Sequence, residues 1–216
     1  ETDRLRLSFS NVTGFLCSRT NLLTGVEESV TARYGSFIPL DDGAYIFRPR
    51  SSKPDLTLYT PATSDIVRGA VMSEVNQTWV LTKARKDIVK PQIQLVFRIF
   101  DGSDAVEIVQ TVAPGDNEEL GLQLGRRDKV SGVNVYEATT WQADTNGMQL
   151  VSRANDPHRP IGGNTYPVCR IALTTLPNSS NANALLFSHV HGVSSPSTGT
   201  LQMMVHRRGT GGEFPP

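Results

Sequence analysis

Apolar and polar residues alternate along many short stretches of this chain, and this pattern constrains the fold more than any other feature. Successive side chains of a β-strand point to opposite faces of the sheet, so strict alternation predicts a half-buried strand. Polar residues such as Gln202 are expected on the face opposite their apolar neighbours. Four stretches show the pattern, with apolar residues at Leu5, Leu7 and Phe9; at Ile93, Leu95, Phe97 and Ile99; at Cys169, Ile171 and Leu173; and at Leu201, Met203 and Val205.

Turn residues separate these stretches and leave little room for long helices. Asn146-Gly147 lies between WQA and MQL, and this dipeptide is typical of a two-residue β-hairpin. Val67, Val71 and Val75 have a helical spacing, but Gly69 interrupts them and β-branched residues follow, so we expect one long strand or two. The sequence therefore predicts an all-β fold, a large antiparallel β-sandwich.

The charge balance excludes several classes of function. The 216 residues include 21 Lys and Arg and 21 Asp and Glu, which gives a formal net charge of zero. Nucleic acids and anionic membrane surfaces both require a basic face, so neither is an expected partner.

No apolar stretch approaches the roughly 20 residues of a membrane-spanning helix. A chain of this length can bury about 70% of its unfolded surface and needs no disulfide framework.

Both ends of the sequence look like cuts in a longer polypeptide. The chain does not begin with Met, alternation starts almost at once, and the last residues are the loop-like GTGGEFPP. We therefore expect a fragment that holds only part of an active site.

Three N-x-S/T sequons occur, where chance alone would give one or two, and their use would indicate the secretory pathway. Their asparagines, Asn11, Asn76 and Asn178, are the candidate glycosylation sites. The two cysteines, Cys17 and Cys169, are compatible either with a disulfide or with two buried free thiols.

The reactive residues of the chain do not form a complete active site. A glycosidase needs two carboxylates that flank one bond, and neighbours on a strand cannot do this because they point to opposite faces. The acidic pairs at 41–42 and 118–119 are interpreted instead as turn and loop residues. His189 and His191 would share one strand face at a spacing that can hold zinc, but no third ligand lies nearby in the sequence. The motifs of serine hydrolases, nucleotide-binding loops and zinc proteases are absent.

Five segments nevertheless form a recognisable series: DGAYIFRP at 42–49, SEVNQT at 73–78, WQADTNGMQL at 141–150, NTYPV at 164–168, and GVSS at 192–195 followed by LQMMVHRR at 201–208. In this order they resemble the C-terminal β-domain of the retaining α-mannosidases of glycoside hydrolase family 38, a group with lysosomal and Golgi members. The resemblance covers about the whole chain and implies a galactose mutarotase-like supersandwich over residues 1–216. The chain departs from the family pattern after Arg208, where GTGG replaces an acidic stretch.

The resemblance implies a portion of a zinc-dependent enzyme that hydrolyses α-linked mannose from N-glycan-type oligosaccharides, in the lysosome or an equivalent acidic compartment. The family's aspartate nucleophile and its zinc ligands belong to an N-terminal catalytic domain that would precede Glu1. Catalytic and metal-binding residues are therefore not expected on this chain, and the partners are that domain and a mannose-containing oligosaccharide. Tyr45 matches a tyrosine that hydrogen-bonds the bound sugar, and Arg207 and Arg208 match an arginine pair close to it.

Taken without the resemblance, the same residues permit other interpretations. Tyr45 would be a core tyrosine, and Arg207 and Arg208 would be surface residues or ion-pair partners of the missing domain. A stand-alone carbohydrate-binding module would use exposed aromatic residues such as Tyr59, Trp79 or Trp141 as a sugar platform, and a purely structural sandwich would need no site. A mannosidase portion should instead carry an apolar or hydrogen-bonding face for the catalytic domain, and the isolated chain should be inactive.

Overall fold

The computed structural model describes residues 1–37, 59–81, 93–112, 119–127, 141–156, 158–159, 161–175, 182–197 and 200–206. Fifteen strands lie in these ranges. Those of the first half are β1 Leu5–Phe9, β2 Leu16–Asn21, β3 Glu27–Phe37, β4 Tyr59–Arg68, β5 Met72–Leu81, β6 Ile93–Phe100 and β7 Val106–Val112. Those of the second half are β8 Glu119–Arg127, β9 Trp141–Asp144, β10 Leu150–Arg153, β11 Tyr166–Val168, β12 Ile171–Thr175, β13 Ala182–Leu186, β14 His191–Ser197 and β15 Thr200–His206.

The prediction of an all-β fold is confirmed. Eleven pairs of neighbouring strands are antiparallel, and the helical content of the described residues is a single 3₁₀ turn at Ile161–Asn164. Within these ranges the structure contains no helix with the length and hydrophobicity needed to cross a membrane. The chain divides into two compact units, the first containing β1, β2, β3 up to Tyr34 and β4–β7, the second containing β8 up to Gly125 and β9–β15.

The first unit is built on a four-stranded sheet in the order β4-β5-β6-β7. The alternation expected along β6 is confirmed, because its four odd-numbered apolar residues are at most 4% exposed: Ile93, Leu95, Phe97 and Ile99. The stretch around Val67, Val71 and Val75 forms two strands, β4 and β5, whose turn is closed by a hydrogen bond from the Gly69 N–H to the Met72 carbonyl. Glycine at this point ends β4 and prevents a continuous helix.

A second layer, β1-β2-β3, covers one face of this sheet. Phe9 of β1 meets Phe97 edge-on with ring centroids 5.3 Å apart, and Phe15 and Tyr34 both contact the fully buried Trp79. Burial of each such large side chain contributes about 1.5–3 kcal/mol. The first unit is therefore a two-layer β-sandwich with an aromatic core.

Polar groups inside this sandwich are matched to one another. Gln77, which is 2% exposed, accepts a hydrogen bond from the Trp79 indole N–H and donates to the Gly14 carbonyl at 2.7 Å. The Tyr34 hydroxyl donates to Gln110 at 3.0 Å, and burial raises the pKa of Tyr34, so this hydroxyl keeps its proton. The bond between Gln77 and Gly14 fixes the turn at Ser10–Phe15 against the four-stranded sheet.

The second unit contains a four-stranded sheet in the order β10-β9-β12-β13, and separately the adjacent strands β8, β15, β14 and β11 in that order. The predicted Asn146-Gly147 hairpin joins β9 to β10: Gly147 has a φ of 72°, and the side-chain Oδ1 atom of Asn146 accepts from the Met148 N–H. The core of the unit is formed by residues that are at most 9% exposed, namely Trp141, Ala143, Val168, Ala172, Val193, Leu201 and Met203.

Two of the predicted strand faces differ from the structure. In β12 the buried residues are Ala172 and Thr174, while Ile171 and Leu173 are half-buried and Cys169 lies in the preceding bend. Both sides of β12 carry residues that tolerate burial, so alternation alone could not choose the core face. In β15 the expected outward residue Gln202 is 4% exposed, as deeply buried as Leu201.

Candidate functional site

The sugar-binding residues predicted from the sequence, Tyr45, Arg207 and Arg208, lie outside the described residues. Arg207 follows directly in the sequence after β15, the strand that ends at His206. The predicted roles of these three residues remain predictions, and β15 is the described strand nearest to the two arginines in sequence.

A polar row of two residues lies across β14 and β15. Gln202 lies directly opposite Ser194 of β14, and directly opposed residues share one face of a sheet. Ser194 and Gln202 are each 4% exposed, and among the described residues the Gln202 Oε1 atom has no hydrogen-bond partner. A buried carbonyl without a donor costs about 1–3 kcal/mol, so this oxygen is an acceptor that a hydroxyl or N–H group would satisfy.

Sequence reasoning missed this polar row. Alternation placed Gln202 among outward-facing residues, since it stands between two apolar neighbours. The one available signal was the pair Ser194-Ser195 on the adjacent strand, where small polar residues occur in place of the usual apolar ones.

The aromatic platform expected of a stand-alone lectin is absent at two of its three proposed positions. Trp79 is 1% exposed and Trp141 is 2% exposed, so neither ring face is open to a sugar. Trp79 packs between Phe15 and Tyr34, and Trp141 packs against Tyr166 with centroids 6.0 Å apart. The third position, the side chain of Tyr59, lies outside the described residues.

A cationic side chain completes the cluster around Trp141. The Arg153 guanidinium lies over the Tyr166 ring at 4.4 Å from its centroid, a geometry in which the ring's negative face attracts the cation. The Nε atom of Arg153 is buried and has no hydrogen-bond partner among the residues that the structure describes. This cluster holds β9, β10 and β11 together within the second unit.

Asp144 is the carboxylate most tightly integrated into the second unit. Its side-chain oxygen accepts hydrogen bonds from the backbone N–H groups of Arg170 at 3.0 Å and Ile171 at 2.9 Å. Burial raises the pKa of Asp144, but backbone hydrogen bonds outweigh this effect, and the pKa lies below its ordinary value. A carboxylate held ionised by backbone donors is suited to fixing the turn before β12.

The prediction that His189 and His191 share a strand face is wrong. His189 lies in the bend before β14 and contacts the Ser188 hydroxyl at 2.7 Å, whereas His191 begins β14 and contacts the Met204 carbonyl at 3.0 Å. Across the described ranges, no three His, Cys, Asp or Glu side chains are grouped to hold a metal ion. The zinc implied by the resemblance therefore has no ligand set among these residues.

The candidate modification sites differ in their surroundings. Asn11 is exposed in a turn, whereas Asn76 is half-buried on β5 and Asn178 lies outside the described residues. Cys17 and Cys169 are both free thiols, so of the two alternatives for the cysteines the disulfide is not formed. Cys17 is exposed rather than buried, and the Cys169 thiol donates to the Thr145 carbonyl at 3.2 Å.

The antiparallel β fold and the series of sequence segments agree with a comparison against known families. The sequence profile of the C-terminal domain of family 38 glycosyl hydrolases matches residues 1–211, so the chain belongs to this family of glycoside hydrolase domains.

The curated relatives found by sequence are α-mannosidases. The lysosomal α-mannosidase of Dictyostelium discoideum is 29% identical over 226 residues and covers 96% of this chain. The α-mannosidase of Canavalia ensiformis is 27% identical over 221 residues, and the human lysosomal α-mannosidase is 28% identical over 177 residues, covering 94% and 77% of this chain. The chain spans 16–21% of the length of these three relatives, so it corresponds to a part of a larger protein.

Proposed function

We propose that this chain is the C-terminal portion of a retaining α-mannosidase that removes α-linked mannose from N-glycan-type oligosaccharides. The observation that carries the proposal is the family match over residues 1–211. A retaining glycosidase needs two carboxyl groups about 5–5.5 Å apart at the scissile bond. In the proposed enzyme the nucleophile and the zinc ion belong to a preceding catalytic domain. There the zinc would act as a Lewis acid that binds hydroxyl groups of the sugar.

The contribution of this chain is to complete the sugar pocket. We assign Tyr45 to hydrogen bonding with the bound sugar, because a phenol offers an apolar ring to the sugar face and a hydroxyl to its rim. Arg207 and Arg208 follow β15, and guanidinium groups supply directional donors to hydroxyl oxygens. The buried faces of Trp79 and Trp141 argue against the alternative of a stand-alone carbohydrate-binding module.

An exposed apolar patch in the first unit supports a docking role. The tip of the β4–β5 hairpin and the adjoining end of β6 expose three apolar side chains, Val67 (56%), Val71 (71%) and Phe100 (38%). We name this set the hairpin patch. Because the curated relatives are about five times as long as this chain, the occupant we propose is the catalytic domain of the same protein. The names of the relatives place several of them in the lysosome, and we propose the same compartment here.

The experiment compares the isolated 216-residue chain with the complete protein, using an aryl α-mannoside as substrate. The complete protein should hydrolyse it, and the isolated chain, shown by circular dichroism to be β-folded, should neither hydrolyse it nor bind zinc stoichiometrically. In the complete protein, Tyr45→Phe should lower kcat/KM by roughly tenfold, the loss of about one hydrogen bond, with unchanged zinc content. Turnover by the pure isolated chain would refute the division of labour, and unaltered kinetics of Tyr45→Phe would remove Tyr45 from the pocket.

A further inference from the structure

The turn between β1 and β2 presents the sequon Asn11-Val12-Thr13 to solvent. All three residues are exposed, and Val12 retains 87% of its accessible surface. The turn is held by its neighbour Ser10, whose hydroxyl accepts hydrogen bonds from the N–H groups of Val12 and Thr13. The backbone of the sequon is thus ordered by residues other than Asn11.

Two further hydrogen bonds, both made by Gly14, also fix this turn. The Gly14 N–H donates to the Ser10 carbonyl at 2.8 Å, and the Gly14 carbonyl accepts from the buried Gln77 at 2.7 Å. The Asn11 side chain takes part in no hydrogen bond with the described residues. Its amide nitrogen can therefore be substituted without breaking an interaction that stabilises the fold.

The sequon at Asn76 has the opposite surroundings. Asn76 lies on the inner strand β5, opposite Asp65 of β4 and Val96 of β6. Its amide nitrogen donates to the Glu74 carboxylate at 2.6 Å, which also accepts from Arg98 at 2.7 Å. These two hydrogen bonds, that from Arg98 first, lower the pKa of Glu74. A glycan on Asn76 would replace one of the two hydrogens with which this nitrogen can donate, and it would have to pass the neighbouring strands.

We propose that Asn11 carries an N-linked glycan in the folded protein and that Asn76 does not. In the reaction, the Asn11 Nδ2 atom attacks the anomeric carbon of a lipid-pyrophosphate-linked oligosaccharide. The new C–N bond replaces the bond from that carbon to the pyrophosphate oxygen, the lipid pyrophosphate leaves with the electron pair, and Nδ2 releases one proton. The glycan covers the exposed Val12 beside it.

This proposal depends on the secretory localisation proposed above, but not on the mannosidase activity. The test uses the complete protein secreted from a eukaryotic cell, digested with trypsin and treated with peptide N-glycosidase in ¹⁸O-labelled water. A glycosylated asparagine is then converted to ¹⁸O-labelled aspartate. The Asn11 site lies in the tryptic peptide 7–19 and the Asn76 site in the peptide 69–83. We expect the label in the first peptide and no label in the second.

Variants separate glycosylation from folding. Asn11→Gln and Thr13→Ala should each move the protein by one glycan on a denaturing gel, while Thr13→Ser keeps the sequon and should not. Asn76→Gln should leave the gel position unchanged. An unlabelled Asn11 or a labelled Asn76 in the secreted protein overturns the proposal. Hydrolysis of an aryl α-mannoside, measured on the same preparations, reports on the proposed function independently, and Asn11→Gln should leave it unchanged.

Discussion

At the scale of single residues, Asp144 shows how one buried carboxylate fixes the geometry between two strands. It ends β9, is 3% exposed, and accepts hydrogen bonds from two consecutive backbone N–H groups at the start of β12. The Cys169 N–H donates to its backbone carbonyl at 3.0 Å. Because the ionised form is the one that these donors stabilise, the pKa of Asp144 is lowered.

We predict that Asp144→Ala lowers the free energy of unfolding by about 1–3 kcal/mol, because two backbone donors lose their acceptor. Asp144→Asn keeps one carbonyl oxygen and should cost less. Since the folded-state pKa lies below the ordinary value, the stability due to ionised Asp144 is present above that value and is lost as pH falls through the lowered pKa. Urea unfolding at several pH values measures this.

The matched control is Asp104→Ala, which removes an exposed carboxylate and should change stability by less than about 0.5 kcal/mol. Equal effects of Asp104→Ala and Asp144→Ala would contradict the role of the backbone hydrogen bonds. So would an Asp144→Asn variant whose acid-dependent loss of stability equals that of the original protein.

Residue-level burial was predictable only where the pattern was unambiguous. Ile93, Leu95 and Phe97 alternate with residues that are less buried, and the expected face is the buried one. Gln202 is buried although alternation predicts exposure, because β15 is buried on both faces at its centre and alternation assumes that one face lies in water. Asp144 looked like one residue of a hairpin, and its role depends on a strand far away in the sequence.

At the scale of elements, the turn Ser10–Phe15 is the most constrained connection that the structure describes. Gly14 has a φ of 70°, and a Cβ atom placed there would lie 3.1 Å from the Cβ atom of Pro61 in β4. Gly25, in the turn between β2 and β3, has the same φ of 70° but nothing within 4 Å. The two glycines thus share a backbone conformation and differ in what an added Cβ atom would contact.

We predict that Gly25→Ala destabilises the protein by about 1–2 kcal/mol, the cost of a left-handed backbone conformation in a residue with a side chain. Gly14→Ala should cost a further 1–3 kcal/mol or so, because the added methyl group displaces β4. Thermal unfolding of both variants measures the difference. Indistinguishable midpoints would mean that the contact with Pro61 relaxes freely.

The local elements were predictable because their causes are local. The Asn146-Gly147 hairpin and the break between β4 and β5 follow from turn residues adjacent in the sequence. The exclusion of His189 from β14 was not predictable, since the start of β14 is set by pairing with β11 and β15. His189 lies before that pairing begins and so leaves the strand.

At the scale of the whole molecule, the proposed site comes from the family resemblance alone. The chemistry of a glycosidase resides in paired carboxylates, and the acidic pairs of this chain gave no sign of such a site. No local pattern distinguishes Tyr45, Arg207 and Arg208 from core or surface residues, so their assignment to a sugar pocket stays a prediction.

The hairpin patch leads to a prediction about the complete protein. Val71→Cys and Leu23→Cys introduce thiols at positions of matched exposure, 71% and 66%, on different turns of the first unit. In a Cys17→Ser background, we expect a thiol reagent to modify Val71→Cys at least tenfold more slowly than Leu23→Cys, because the catalytic domain covers the patch. In the isolated chain both should react at similar rates, and equal rates in the complete protein would contradict docking at the hairpin patch.

The interleaved order of the two units has a consequence for biosynthesis. The hydrogen bond between Tyr34 and Gln110 joins residues 76 positions apart, and that between Gln77 and Gly14 joins residues 63 positions apart. At about 5–20 residues per second, a ribosome needs about 4–15 s between making Tyr34 and making Gln110. During that interval the aromatic side chains of the first strands cannot yet be buried and are exposed to other nascent chains. Such long-range pairing should make refolding from denaturant slow.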